Sequence, residues 1–418
     1  MENLFRVQIP QKIRNNHRGC FQWISTETAF FSEKTVCICF QMYTLMIHCS
    51  CVQTEDFKTV CIRKRDRNQV AMETKLKKVD KQGSVVAQAA AVLREGGLVA
   101  FPTETVYGLG ANALDAEAAV KIYAAKGRPS DNPLIVHIAE KSSVYELVKE
   151  VPQMAEKLME AFWPGPLTIV FQKAACIPYT TTGGLDTVGI RFPDHPVALA
   201  LIQEAGVPVA APSANASGRP SPTRAEHVWT DMEGRIDWIL DGGEVGIGVE
   251  STIIDVTGPV PMILRPGFIT REMIAQVIGD VETDPAVIAP AGAGLHPKAP
   301  GMKYRHYAPK APLVIVEGDA DNVVKKINAL TEEAVMSGKT CGIIATEETK
   351  ERYSTGLVKS LGYRSREDSI AHNLYAVLRE FDEESVDMIY SEGFSDDHLG
   401  CAIMNRLRKA AGHQKIQV

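Results

Sequence analysis

The stretch VVAQAAAVLREGGLVAFPTETVYGLG, residues 85–110, decides the fold class. Its first nine residues are alanine-rich helix formers, Gly96-Gly97 stops them, and 98–101 is a short apolar run of strand type. A helix ended by glycine and followed at once by a strand is the repeating step of a mixed α/β chain. The step recurs downstream. Spacing predicts a helix over 116–125, a strand over 134–138, a helix over 144–162 interrupted at Pro152, and strands over 167–171 and 188–191. A helix over 195–204 and a strand over 207–211 complete this set.

Residues 285–312 are rich in Pro, Gly and Ala, have weak periodicity and read as a long linker. A second rhythm follows: strand 313–316, helix 320–333, strand 340–345, helix 370–381 and strand 388–389, the pattern of a small βαβ unit on a parallel sheet. Four segments result: 1–71, 72–284, 285–312 and 313–418.

The first segment differs from the rest in composition. Of a net charge of −6, residues 1–71 hold ten Lys/Arg against six Asp/Glu, leaving 35 against 45, a net −10, for residues 72–418. Six of the nine cysteines also fall there, and the three later ones, widely scattered, suggest a reducing, cytoplasmic compartment. The run 35–52 has no formal charge, but Thr35, Gln41, Tyr43, Thr44, His48 and Ser50 interrupt it and no signal-peptide pattern precedes it, so no membrane association is expected. Cys37-x-Cys39 and Cys49-x-Cys51 are too closely spaced for a usual zinc site. Residues 1–71 are therefore expected to be a disordered stretch, or a start placed upstream of a true one at Met72.

Polar segments rich in Gly, Pro, Ser and Thr fall at the ends of predicted strands, where α/β proteins place their sites. PTETVYGLG (102–110) offers hydroxyls and backbone N–H groups to a carboxylate or phosphate, and its alternative reading is a capped turn. Lys126 and Arg128 leave a helix C-terminus as two cations suited to phosphate, or to the helix dipole alone. The loop 212–223 (PSANASGRPSPT) resembles a nucleotide-binding loop without a Walker motif; GVEST (248–252) and LRPG (264–267) add hydroxyls and an arginine. GLGANA (108–113) imitates a dinucleotide fingerprint but does not directly follow a strand. No nucleophile elbow, HExxH or paired Cys and His occurs, so an acid-poor, cation-rich pocket points to anion binding and electrostatic catalysis.

These motifs, in this order, resemble the YrdC-type threonylcarbamoyl-AMP synthases in their two-domain form. The resemblance rests on PTETVYGLG, KGRPSDNPLIVHI (126–138), FWPGPLT (162–168), IRFPDHP (190–196), APSANASGRPSPT (211–223), GVESTIID (248–255), LRPG and GMKYRHYAP (301–309). It implies a twisted α/β sheet around a basic cavity, joined by a long linker to a smaller Rossmann-like α/β domain. Thr105, His137, Arg191, Ala211 and Ser251 would hold L-threonine. Lys126, Arg128, Asn132, Thr187, Ser213, Asn215, Ser221, Arg265 and a linker tyrosine, Tyr304 or Tyr307, would hold ATP, with Lys126 and Arg128 as the catalytic cations.

ATP is then a substrate together with bicarbonate, Mg2+ accompanies its phosphates with no protein ligand assigned, and no tightly bound organic cofactor is implied. The product would pass to the tRNA threonylcarbamoyl transferase machinery, with any tRNA contact weak and local. Ala299 stands where the family's linker has serine. An RNA-binding module without catalysis is the rival reading, which the net −10 and the lack of aromatics in the motifs disfavour.

Overall fold

The alanine-rich run forms helix Ser84–Arg94, with Val86, Ala89, Ala90 and Leu93 buried at helical spacing. They pack against Ala198, Leu201, Ile202 and Ala205 of helix Pro196–Ala205, and against Val99 and Phe101 of the strand that follows Gly97. The computed structural model describes residues 72–287, 299–300 and 306–418. The expectations raised for residues 1–71 and for Tyr304 lie outside these.

Among the described residues one mixed sheet carries eleven strands. From edge to edge they are Lys75–Lys78, Trp238–Asp241, Val99–Phe101, Gly108–Asn112, Val209–Ala210, Ile135–His137, Thr187–Arg191, Leu167–Gln172, Thr252–Asp255, Met262–Arg265 and Glu282–Thr283. Parallel and antiparallel neighbours alternate irregularly, so loops from opposite strand directions meet over the middle of the sheet. A second sheet, entirely parallel, has the order Leu357–Ser360, Cys341–Ala345, Met388–Glu392, Leu313–Glu317, Lys415–Gln417. Helix Ala320–Met336 packs Val323, Val324 and Ile327 against it, and helices Glu367–Glu384 and His398–Ala410 bury their apolar residues in a separate cluster with Leu313, Ile315 and Ile389.

Two readings change, and one strand had no prior reading. Residues 108–112, read only within a polar motif at a strand end, form a strand themselves, because Gly110 leaves room for its neighbours: a Cβ there would lie 2.8 Å from both Phe101 and Val209. The helix expected over 144–162 is two, Val144–Leu147 and Gln153–Phe162; Val148 instead bridges to Lys173, and Pro152 precedes the second helix. The charged run after Met72 contains an edge strand, KLKK, all four residues exposed, where lysines discourage further strand pairing.

Candidate active site

The polar motifs, as turns and the ends of strands and of one helix, bring most of their named side chains to one cavity. In the first, Thr103 Oγ1 donates to the Val106 carbonyl at 2.7 Å and accepts from the Thr105 and Val106 N–H groups. This local bonding replaces a strand ladder and buries Thr105 completely. Thr105, Lys126, Arg128, His137, Arg191, Ala211, Ser213, Asn215, Ser251, Arg265 and Tyr307, all singled out in the sequence, line this cavity. Asn132, Thr187 and Ser221 do not. The Asn132 carbonyl accepts from Arg128 Nε at 3.2 Å, Thr187 begins its strand, and Ser221 lies fully buried and hydrogen-bonded to Glu250, which does line the cavity.

One side of the cavity is cationic and dry. Lys126 is 3% exposed, its ammonium donating to the Ser213 and Asn215 carbonyls; burial and then the Arg128 charge hold its pKa well below the usual lysine value. Lys126 is thus tied to the loop 212–223 while still lining the cavity. Arg128 donates to the Asn132 and Pro133 carbonyls, and burial brings its pKa down to about 10, still charged at neutral pH. Arg265 is fixed by Ser251, through the carbonyl at 3.0 Å and the hydroxyl at 3.1 Å.

The other side has a mixed character. Arg191 meets Glu104 at 2.7 Å, but off the line of its N–H bonds. The pair is therefore held by charge, and Arg191 Nε and Nη2 and both Glu104 carboxylate oxygens have no hydrogen-bond partner among the described residues. Unsatisfied buried groups of opposite sign side by side suit a zwitterionic ligand. His137 Nδ1 donates to the Ile135 carbonyl at 3.2 Å, and burial followed by the Arg191 charge pushes its pKa down to about 3, so the ring is neutral. The Ala211 N–H is committed to the Ile135 carbonyl, leaving its own carbonyl to offer.

Sequence reasoning named the cations that line the cavity and gave no role to Glu250, which also lines it, or to Glu104, which pairs with Arg191. Glu104 and Glu250 stand inside quoted motifs, and the only signal was an acid flanked by hydroxyl residues or valine in otherwise acid-poor loops. Glu250 accepts from Ser221 at 2.5 Å, from Tyr375 at 2.9 Å and from Arg406 at 2.9 Å; burial raises its pKa, but Arg406 and Arg265 outweigh this and bring it down to about 2. Tyr375 and Arg406 come from the two long C-terminal helices. Tyr307 stacks on Tyr375 at 5.3 Å in a left-handed backbone conformation (φ 65°) and is 5% exposed. It helps contract the cavity to about 60 Å³, well under the roughly 300 Å³ at which small-molecule pockets begin.

Gly248 explains how the C-terminal helices come so close. Its φ is +88°, and a Cβ there would lie 2.5 Å from the backbone of Ala371 and His372 in helix Glu367–Glu384. Gly248→Ala is expected to lower stability by at least about 2 kcal/mol through strain and overlap, read as a fall in thermal midpoint. Gly243→Ala is the control, with φ +87° but open space around it. Equal shifts in the two variants would mean that the helix contact contributes nothing.

Comparison with known proteins agrees with this geometry. A family model described as "Telomere recombination" (Sua5_yciO_yrdC) matches residues 91–267, and one described as "Threonylcarbamoyl-AMP synthase, C-terminal domain" matches 269–412. A threonylcarbamoyl-AMP synthase of Bacillus subtilis is 53% identical over 333 residues, 79% of this chain and 94% of that one. One of Schizosaccharomyces pombe is 41% identical over 362 residues, 78% and 88% of the two chains. The crystal structure of Pyrococcus abyssi Sua5 complexed with L-threonine superposes with a TM-score of 0.77 at 49% identity, covering 83% of this chain and 99% of that one. With both domains matched in order and identities of this size over most of each relative, the chain belongs to the threonylcarbamoyl-AMP synthase family.

Proposed function

We propose that this chain condenses L-threonine, bicarbonate and ATP into threonylcarbamoyl-adenylate, releasing pyrophosphate and water. The observation that carries the reading is that one cavity gathers two chemically distinct walls. Lys126, Arg128 and Arg265 present positive charge for a triphosphate, and Arg191, paired with Glu104 outside the lining, together with His137, Thr105 and Ser251 presents the mixed surface an amino acid needs. The threonine amine takes up CO2 formed from bicarbonate, and a carbamate oxygen attacks the α-phosphorus as the bond to pyrophosphate breaks. The protein supplies no nucleophile. Its residues align the reactants and oppose the developing phosphate charge.

In this reading Arg191 pairs with the threonine carboxylate, neutral His137 and the Thr105 and Ser251 hydroxyls surround the rest, and the Ala211 carbonyl faces the amine. Ser213, Asn215 and Tyr307 contact the nucleotide, and Tyr307 swings aside to admit it. Asn132, Thr187 and Ser221 reach it only through their neighbours. Among the described residues no group of His, Cys, Asp and Glu could hold a metal ion; in this reading Mg2+ accompanies the ATP phosphates. No described helix is long and apolar enough to cross a membrane. The product is a mixed anhydride, suited to donate its threonylcarbamoyl group to tRNA in the cytoplasm through a separate transferase.

The test is pyrophosphate release by the full chain with MgATP, omitting L-threonine or bicarbonate in turn. Release that requires both is expected; release indifferent to either sinks the reading, and tight, salt-sensitive RNA binding without turnover would favour the rival. Arg191→Ala is expected to raise the threonine KM by about 100-fold, the size of one lost charge-assisted pair, with a much smaller effect on the ATP KM. An effect confined to ATP would reverse the division of the walls.

A further inference from the structure

We propose that Arg406, on the last helix of the C-terminal domain, is a positioning residue for the nucleotide pocket, neutralising Glu250 and fixing the loop that carries Arg265. The proposal rests on the function proposed above. Glu250 is an acid in the wall of a cavity otherwise lined by Lys126, Arg128, Arg191 and Arg265. Left unpaired, a buried carboxylate there would repel a triphosphate and attract the nearest cation.

The structure shows how this is avoided. Arg406 has no exposed surface; its Nε donates to Glu250 Oε2 at 2.9 Å and its Nη1 to the Pro266 carbonyl at 2.6 Å, next to Arg265. Its guanidinium also lies 5.8 Å from the centre of the Tyr307 ring. Tyr375, from the neighbouring helix, donates to the same carboxylate at 2.9 Å and stacks on Tyr307. Three parts of the cavity wall, the Glu250 loop, the Arg265–Pro266 turn and the linker, are thus tied to residues of the second domain. With Arg406 present, Arg265 stays bonded to Ser251 rather than to Glu250. Without it, Arg265 is the remaining cation that acts on Glu250 and would be drawn to it.

Arg406→Met in the full chain is therefore expected to raise the ATP KM about 100-fold, as removal of one partner of a buried pair implies. The threonine KM should change far less, by under about tenfold, because Arg191 and His137 are not part of this network and only Ser251, bonded to Arg265, adjoins it. Adding Glu250→Gln to Arg406→Met removes the stranded charge and should recover at least about tenfold of the loss. A purely structural role would not give that recovery or that split between substrates. An unchanged ATP KM in the single variant, or no recovery in the double, overturns the proposal. If Arg406→Met does not fold, Tyr375→Phe decides, since it removes one donor to Glu250 and keeps the stack: a raised ATP KM supports the proposal and an unchanged one overturns it. Wild-type enzyme, assayed alongside, separates these outcomes from failure of the proposed reaction, which would leave it without threonine-dependent pyrophosphate release.

Discussion

Replacing Lys126 and Arg128 together by alanine is expected to lower kcat/KM for ATP by about 10³-fold or more, since each removes a preorganised donor from a water-poor wall where charge develops. The two cations differ in how clean the experiment is. The Lys126 ammonium also satisfies the Ser213 and Asn215 carbonyls, so its loss strands two buried acceptors at about 1–3 kcal/mol each. Arg128 donates to the Asn132 and Pro133 carbonyls, and Tyr123 also donates to the first at 3.2 Å, so its loss leaves fewer acceptors without a donor. Arg128→Ala alone, with an unchanged melting curve, is the decisive variant, and near-wild-type turnover would remove its phosphate role. Lys126 adds a pH signature. Burial and the Arg128 charge lower its pKa well below the ordinary value, and a bound triphosphate favours the protonated form. ATP affinity should therefore weaken as pH rises toward the ordinary lysine range, and an ATP KM that stays flat up to there would mean that the ammonium does not face the phosphates.

The cation-bearing half of this site was legible because its residues lie in contiguous motifs whose glycines, prolines and hydroxyls exclude helix and strand interiors. Lys126, Arg128, Ser213 and Asn215 could be grouped from local chemistry alone. Glu104 and Glu250 were quoted within motifs but given no role, because an acid in an anion site makes sense only with its partner in view. The cationic partner of Glu250 is 156 residues away at Arg406, and Asp231, besides Arg219 nearby, takes a bond at 2.8 Å from Arg379, 148 residues away. No local pattern encodes such pairs. In the fold, strongly periodic elements such as Ser84–Arg94 and Ala116–Lys126 fall within a residue or two of their predicted ends. Helix Ala225–Met232 went unread because His227 and Asp231, both buried, interrupt its apolar face. Their burial is explained by partners from outside the helix, Arg379, Arg219 and the Ala216 N–H for Asp231 and Thr223 for His227.

Those buried polar groups should make the protein sharply acid-labile. His137, His227 and His306 all fall to about 3, each chiefly through burial, with the charge of Arg191 acting on the first, Arg379, Arg224 and Arg219 on the second, and Arg128, Lys409 and Lys126 on the third. An unfolded histidine takes up its proton near pH 6.5, whereas these do not do so in the native state until about pH 3. Between those values the unfolded chain binds more protons, so stability falls as pH drops. Three such groups give up to about 4 kcal/mol per pH unit, enough to exhaust a stability of about 5–15 kcal/mol within a few units. Glu250, brought down to about 2 from 4.5 in the unfolded chain, steepens the loss below pH 4.5. Lys409, lowered to about 7, acts only above neutrality, where its native proton is already lost while the unfolded chain keeps its own. Denaturant melts at pH 7, 6, 5 and 4.5 should show the slope, and a flat profile from pH 7 to 5 would count against it. His227 is the residue to remove, because its Nδ1 accepts from the Thr223 N–H at 3.2 Å, a bond that protonation destroys. His227→Gln should flatten the acid slope by about one third, one proton of three, leaving Glu250 and the other two histidines to set the remainder.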